Sequence, residues 1–410
     1  MTTADVLIVG SGHGGTSAAI ALRQLGFEGT VAMVSADPDL PYERPPLSKD
    51  YLAGEKGFDS ILLRPANFWS DKAIELIAGE EIVAVDPPAH RATAASGRDF
   101  SYGKLIWSAG GVPRRVTCDG HDLQGIHTIR DRGDVDHLRG ELERAHHVVV
   151  IGGGYIGLEA AASLTKLGKH VTVFEAMDRL LARVAAKPIS DFFAAEHRRH
   201  GVEVHLGANV VCLEGEGGRV ARAKLADGTT IAADLVIVGI GIVPRIAPLE
   251  RAGADCPNGV AVDPLCRTTL PDVYAIGDCA LHRNRFAPDR PVRVESVQNA
   301  ADQAKVVALD ILGRPEPYVA TPWFWSNQYD VKLQTVGLST GYDDALVRGD
   351  PASGRFSVIY LADGAVIPLD CVNMVRDYVQ GRALVENWAR VAPERLTDPD
   401  VALKSLILQD

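Results

Sequence analysis

No run of about 18 consecutive apolar residues occurs in the 410-residue chain, so no membrane-spanning helix is expected. A basic surplus is missing too. The formal charge is −11, whereas binding to a phosphate backbone needs a basic face, so nucleic acid is not an expected partner. The six cysteines (Cys118, Cys212, Cys256, Cys266, Cys279 and Cys371) form no CxxC pair and no metal-like spacing, and none falls between residues 36 and 60. They read as reduced, mostly buried residues of a cytoplasmic protein, and no metal site is expected. The first strand begins within a few residues of the N-terminus, which leaves no room for a signal or transit peptide. There is no low-complexity segment. At this length two or three domains are expected.

What is present is organised around Val148 to Glu175. Four apolar residues, Val148 to Ile151, read as a buried parallel strand, and Gly152-x-Gly154-x-x-Gly157 follows at once. A helical run from Ile156 to Leu167 closes at Gly168, and a second apolar strand, Val171 to Phe174, ends in Glu175. Each part has a reason. The first glycine permits the tight turn, the second lets a pyrophosphate approach the backbone, and the third lets helix pack on strand. The helix N-terminus offers unpaired N–H groups and a positive dipole end to the phosphates. Glu175 stands where a carboxylate accepts hydrogen bonds from adenine ribose hydroxyls and repels a 2′-phosphate, which argues for NAD over NADP.

The pattern occurs twice. Val6 to Val9 is followed by Gly10-Ser-Gly12-His-Gly14-Gly15, an alanine-rich helix to Leu25, and a strand from Val31 to Val34. Aligned strand to strand, Ser35 takes the place of Glu175, so this unit lacks the ribose acid at its usual position; Asp37, two residues on, is the candidate substitute. Next comes Leu40 to Lys49, LPYERPPLSK, a rigid loop beyond the C-terminal end of a parallel strand, where ligands bind in open α/β sheets. Strands are expected near Ile82 to Val85 and Arg91 to Thr93. Two similar segments, a buried strand running into glycines and then proline, end at Arg114 and Arg245. They bracket the stronger fingerprint and mark it as a domain inserted into another. The predicted boundaries are 1–113 with 239–320 for the outer domain, 114–238 for the inner one, and 321–410 for a C-terminal α+β domain. The fold class is therefore α/β with two nested Rossmann-like domains. A strand from Val273 to Ile276 runs into Asp278, placed to reach a ribityl or ribose hydroxyl. Val297 to Leu312 reads as a helix. Trp323 and Trp325, two apart on a strand, face one side as a flat wall.

These motifs, together with the ESVQNA and PWFWSNQYD segments, resemble the FAD-dependent, NADH-using ferredoxin reductases of the putidaredoxin reductase type, over essentially the whole chain. The departure is at Ser35 and Ala36, where the family carries an acid near the FAD ribose. The resemblance implies hydride transfer from NADH to FAD, then single electrons to a [2Fe–2S] ferredoxin serving an oxygenase. It implies that Gly10, Gly12, Gly14 and Gly15 hold the FAD pyrophosphate and that Ile82 faces the adenine. Arg130 would lie at the phosphates, Asp278 at the ribityl chain and Val297 at the flavin edge. Trp325, with Trp323 nearby, would flank the flavin on its partner-facing side. Gly152, Gly154, Ile156, Glu175 and Arg183 would hold NADH, and Tyr155 is similar to a gate that covers the flavin until nicotinamide arrives. Lys49 would lie beside the isoalloxazine, paired with Glu159. Arg283, Arg285, Arg290 and Arg293 are the candidate basic patch for an acidic ferredoxin. A pyridine-nucleotide disulfide reductase would need a thiol between residues 36 and 60. An NADH oxidase, and a signalling flavoprotein resembling apoptosis-inducing factor, are the other readings weighed.

Overall fold

A computed structural model describes residues 2–407, and packing divides them into two compact units. The first comprises the residues up to Arg44, Phe58–Val112 and Val243–Pro322. The second comprises Pro45–Gly57, Pro113–Ile242 and the residues from Trp323 onward.

In the first unit five parallel strands lie side by side in the order Ile74–Ala78, Val31–Ser35, Thr2–Val9, Asp99–Trp107 and Val273–Ala275. The last of these arrives from far along the chain, which is why this unit is discontinuous. Both faces of the sheet are covered at its centre, so the strands read as apolar runs over residues 6–9, 31–34 and 105–107. Val6 and Ile8 pack on one side with Ala18, Leu22, Ala304 and Val307 of the helices His13–Gln24 and Val297–Ile311. Leu7 and Val9 pack on the other with Trp107, Leu249 and Val260. The antiparallel strands Ile82–Asp86 and Arg91–Ala94 extend the sheet from the N-terminal half of Asp99–Trp107. A hairpin, Ala280–Asn284 with Ala287–Val292, carries the arginine-rich segment.

The second unit contains another parallel sheet, ordered Glu203–Leu206, His170–Glu175, His147–Ile151, Leu235–Val238 and Ile126–His127. A three-stranded antiparallel sheet covers one face, with Leu213, Val220 and Ala223 against Val149, Ile151 and Val236. The C-terminal part forms a five-stranded antiparallel sheet, ordered Trp323–Gln328, Val331–Val336, Ala365–Val372, Arg355–Ala362 and Asp344–Asp350. Pro45–Gly57, assigned from the sequence to the first domain, packs with this second unit instead. Ser48 and Lys49 both hydrogen-bond to Glu159, and the Tyr51 hydroxyl donates to Asp136 at 2.6 Å. Among the described residues no helix is long and apolar enough to cross a membrane.

Candidate functional site

The two glycine turns are built alike, and steric necessity explains most of their glycines. Gly10 has φ +104°, and a Cβ there would meet the Ser108 carbonyl oxygen at 2.3 Å. A Cβ on Gly15 would meet the Gly10 carbonyl oxygen at 1.8 Å, so helix and turn could not close. In the second turn Gly152 has φ +111° and would strike the Gly239 carbonyl oxygen at 2.4 Å; Gly157 would strike that of Gly152 at 2.1 Å. Gly12 and Gly154 differ: a Cβ on either would enter open space. These middle glycines precede helices His13–Gln24 and Tyr155–Lys166, which have no side-chain cap and no acid in the first turn. Open backbone at an uncapped helix N-terminus fits a pyrophosphate, and the chain offers it twice.

The ends of the second strands differ in chemistry. Glu175 Oε2 accepts from the Gly153 amide at 2.7 Å and Oε1 from the Met177 amide at 2.8 Å, which fixes the carboxylate beside the turn. Ser35 accepts from the Ser11 hydroxyl at 2.8 Å and the Asp37 amide at 3.2 Å. A neutral hydroxyl thus ties the strand end to the turn where the second unit uses a carboxylate. Asp37 does not simply take the acid's place, since its Oδ2 accepts from Arg44 Nη2 at 2.8 Å and the Tyr42 hydroxyl at 3.0 Å.

The remaining candidates of the first unit occupy three settings. Asp278 stands in the turn after strand Val273–Ala275. That turn is fixed by the Gly277 amide donating to Gln303 Oε1 at 2.7 Å and by Arg293 Nη1 donating to the Asp278 carbonyl at 2.7 Å. Val297 begins a helix capped by Ser296, whose Oγ accepts from the Asn299 amide at 3.1 Å. Ile82 is buried with Val34 and Ile77 in the core and pairs with Ala94 of the neighbouring strand. Burial pushes the Cys279 thiol up to about 12, so it is protonated at neutral pH and inert as a nucleophile. The proposed basic patch needs one correction. Arg283, Arg285 and Arg290 are exposed, but the Arg293 side chain is 11% exposed and turned inward to Asp278 and Glu295.

In the second unit Glu159 gathers a polar cluster on helix Tyr155–Lys166. Its Oε2 accepts from Lys49 Nζ and the Ser48 hydroxyl, each at 2.6 Å, and Oε1 accepts from the Ser326 hydroxyl at 2.7 Å. The Lys49 and Glu159 side chains are 16% and 4% exposed. The Ser163 hydroxyl, four residues along the same helix face, donates to the Ser48 carbonyl and pins the loop again. Tyr155 lies one turn before Glu159 and tilts against Phe324, ring centroids 4.6 Å apart. Burial holds its phenol well above the ordinary range, so it stays neutral. Strand alternation sorts the aromatic segment: Phe324 and Ser326 face this helix, while Trp323 and Trp325, 5.5 Å apart, pack together on the opposite face. Ile156 and Arg183 are exposed. Arg130 lies between strand Ile126–His127 and helix Arg132–Leu142, its amide donating to Asp134 Oδ2 at 3.0 Å.

Several contributors carry no sequence signal. Ser326 is one of many serines. Arg179, which donates to the Ala182 and Ala185 carbonyls and to Ser190, staples the loop bearing Arg183. Asp370, behind Tyr155, receives hydroxyls from Thr335 and Tyr360 on the two strands that flank its own.

The description "Pyridine nucleotide-disulphide oxidoreductase" matches residues 4–304, and "Reductase C-terminal" matches residues 323–407. The 5,5'-dehydrodivanillate O-demethylase ferredoxin reductase subunit of Sphingobium sp. is 60% identical over 98% of both chains. A ferredoxin reductase from Rhodopseudomonas palustris superposes with a TM-score of 0.95 at 39% identity, covering 100% of each chain. The reductase in a covalent putidaredoxin reductase–putidaredoxin complex superposes with a TM-score of 0.94 at 36% identity, covering 99% of each. The chain therefore belongs to the pyridine nucleotide-disulphide oxidoreductase family, in the group of ferredoxin reductases that carry the reductase C-terminal domain.

Proposed function

We propose that the protein takes hydride from NADH onto FAD and passes electrons singly to a [2Fe–2S] ferredoxin that serves an oxygenase. The observation that carries this is the pair of open glycine turns on one chain, the second backed by a carboxylate, with no cysteine between residues 36 and 60. Bound FAD would supply the two-electron to one-electron conversion, which no side chain here can perform. Gly10, Gly12, Gly14 and Gly15 would receive its pyrophosphate, Asp278 and Val297 would meet the ribityl chain and ring edge, and Arg130 would meet the phosphates. Gly152, Gly154 and Ile156 line the NADH turn, Glu175 accepts from the adenine ribose, and Arg183 approaches from its stapled loop. Tyr155 would cover the flavin until nicotinamide arrives. The Lys49–Glu159 pair orients the carboxamide end and balances charge. Trp325, with Trp323, stands on the ferredoxin side. Unpaired cysteines and an NADH donor suit the cytoplasm.

Anaerobic stopped-flow mixing with NADH tests the reading. Flavin absorbance should bleach rapidly and a [2Fe–2S] ferredoxin should then reoxidise it; failure of NADH to bleach the yellow protein overturns the assignment.

The ferredoxin contact makes a second prediction. Arg283, Arg285 and Arg290 project from the hairpin, Arg285 with its guanidinium 4.7 Å above the Phe286 ring. Reversing Arg283 and Arg290 to glutamate should raise the KM for ferredoxin about tenfold, with an effect that shrinks at high salt, and leave flavin reduction by NADH unchanged. Equal effects on both half-reactions would remove the patch from consideration.

A further inference from the structure

Away from both glycine turns, three side chains of the second unit converge on one point. His127 ends the edge strand Ile126–His127. His137 and Glu141 stand four residues apart on helix Arg132–Leu142 and so share a face. Glu141 Oε1 lies 3.0 Å from His137 Nε2, and Oε2 lies 3.6 Å from His127 Nε2. All the donor atoms fall within 4.8 Å of one another. Ligands at about 2.0–2.2 Å from a tetrahedral ion stand roughly 3.4 Å apart; the two gaps, each to a different Glu141 oxygen, lie on either side of that value, so a small rotation of the carboxylate would bring one oxygen to face both imidazoles.

A second observation points into the same space. His127 is 8% exposed, and its Nε2 is buried with no hydrogen-bond partner. The 3.6 Å to Glu141 is too long for a hydrogen bond. Buried side-chain nitrogens are ordinarily satisfied, and this one is aimed at an imidazole and a carboxylate. His137, by contrast, has a side chain 69% exposed, so an ion could enter from solvent and keep water in its remaining position.

We propose that His127, His137 and Glu141 bind one divalent ion of the zinc class. Two imidazoles and a carboxylate suit zinc or a neighbouring transition metal; magnesium and calcium prefer all-oxygen sites. The ion braces a weak corner. The edge strand pairs with its neighbour through only Ile126 and His127, and it leads directly into the segment that holds Arg130. One group competes. Arg219 Nη2 pairs with Glu141 Oε2, and the ion would have to displace it. The Arg219 side chain is 44% exposed and its other terminal nitrogen reaches Gln124 at 3.5 Å, so the guanidinium has room to swing into solvent when an ion takes its place.

The test uses the flavin-loaded protein, stripped with chelator and titrated with Zn2+ by calorimetry and with Co2+ by visible absorption. One ion per chain is expected, with micromolar or tighter affinity, tetrahedral cobalt bands and a raised melting temperature. His127→Ala and His137→Ala should each weaken binding at least 100-fold. Arg219→Gln should tighten it, a result that a purely structural role for the arginine would not give. His137→Ala alters a surface side chain and should fold and turn over normally, which keeps the comparison valid if His127→Ala misfolds. Absence of saturable binding overturns the proposal. So does binding that His137→Ala leaves unchanged, since the ion would then sit elsewhere.

Discussion

Glu159→Ala is expected to destabilise the protein by about 3–5 kcal/mol, and adding Lys49→Met to it should restore most of that loss. The reason lies in what each deletion strands. Glu159 accepts from Lys49 and Ser48 through one oxygen and from Ser326 through the other. Without it a largely buried ammonium faces two hydroxyls and no anion. Removing both charges leaves two small hydroxyls that can turn to other acceptors, a far cheaper outcome than one unpaired ion. Denaturant midpoints of the two single variants and the double variant measure this directly. A double variant as unstable as Glu159→Ala would show that packing, not an uncompensated charge, sets the loss. The same cycle separates structure from function. If the pair orients nicotinamide, the double variant recovers stability while flavin reduction by NADH stays slow. Parallel recovery of both would mean the pair serves only to hold the loop Pro45–Gly57 in place.

This cluster also marks where sequence reading stopped. The glycine turns were legible because the clashes at Gly10, Gly15, Gly152 and Gly157 leave no other residue possible, so steric necessity writes itself into the sequence. The doubly covered strands were legible because burial on both faces demands unbroken apolar runs. The Lys49–Glu159 pair was inferred from resemblance alone; the residues stand 110 positions apart and nothing local announces it. Ser326, which completes it, was invisible. Strand Asp344–Asp350 was not expected because Arg348 breaks its apolar pattern; the arginine is 2% exposed and paired with Asp377 at 3.0 Å, a compensation only the fold reveals. Helix Lys187–Arg199 also buries a polar residue whose partners are distant, His197, which meets Gln328 and Tyr329. Buried polar residues obscure periodicity because their partners come from elsewhere in the chain.

Asp370 is the extreme case of such a residue, and its replacement by asparagine should raise stability at pH 7.5 by about 2 kcal/mol while slowing flavin reduction by NADH several-fold. The carboxyl is 1% exposed on strand Ala365–Val372. Burial pushes it up to about 6, and hydrogen bonds from Thr335 and Tyr360 pull it only part of the way back. A carboxyl raised in the folded state from near 3.8 costs on the order of 3 kcal/mol at neutral pH. The sign follows from proton binding. The folded state holds this proton more tightly than the unfolded chain, so the associated stability is complete below about 3.8 and is lost as pH rises through about 6. Asparagine escapes that loss but misorients one hydroxyl, which returns about 1 kcal/mol. The variant's advantage in melting temperature should therefore shrink as pH falls from 7 to 5. An advantage that is constant with pH would exclude titration of Asp370 as its source. The carboxylate is kept despite its cost, and its connections suggest why. Thr335 donates to Oδ1 at 2.6 Å; Tyr360 donates to Oδ2 and accepts from the Ala186 amide at 2.9 Å; and the Tyr155 phenol lies within electrostatic reach of the carboxyl. One buried carboxyl thus holds, through Tyr360, the end of the loop that carries Arg183, and sets the field at Tyr155, the residue proposed to cover the flavin. If Asp370→Asn reduced the flavin at the native rate, the carboxyl behind Tyr155 would have no part in the reaction and only the pH-dependent stability would remain to be explained.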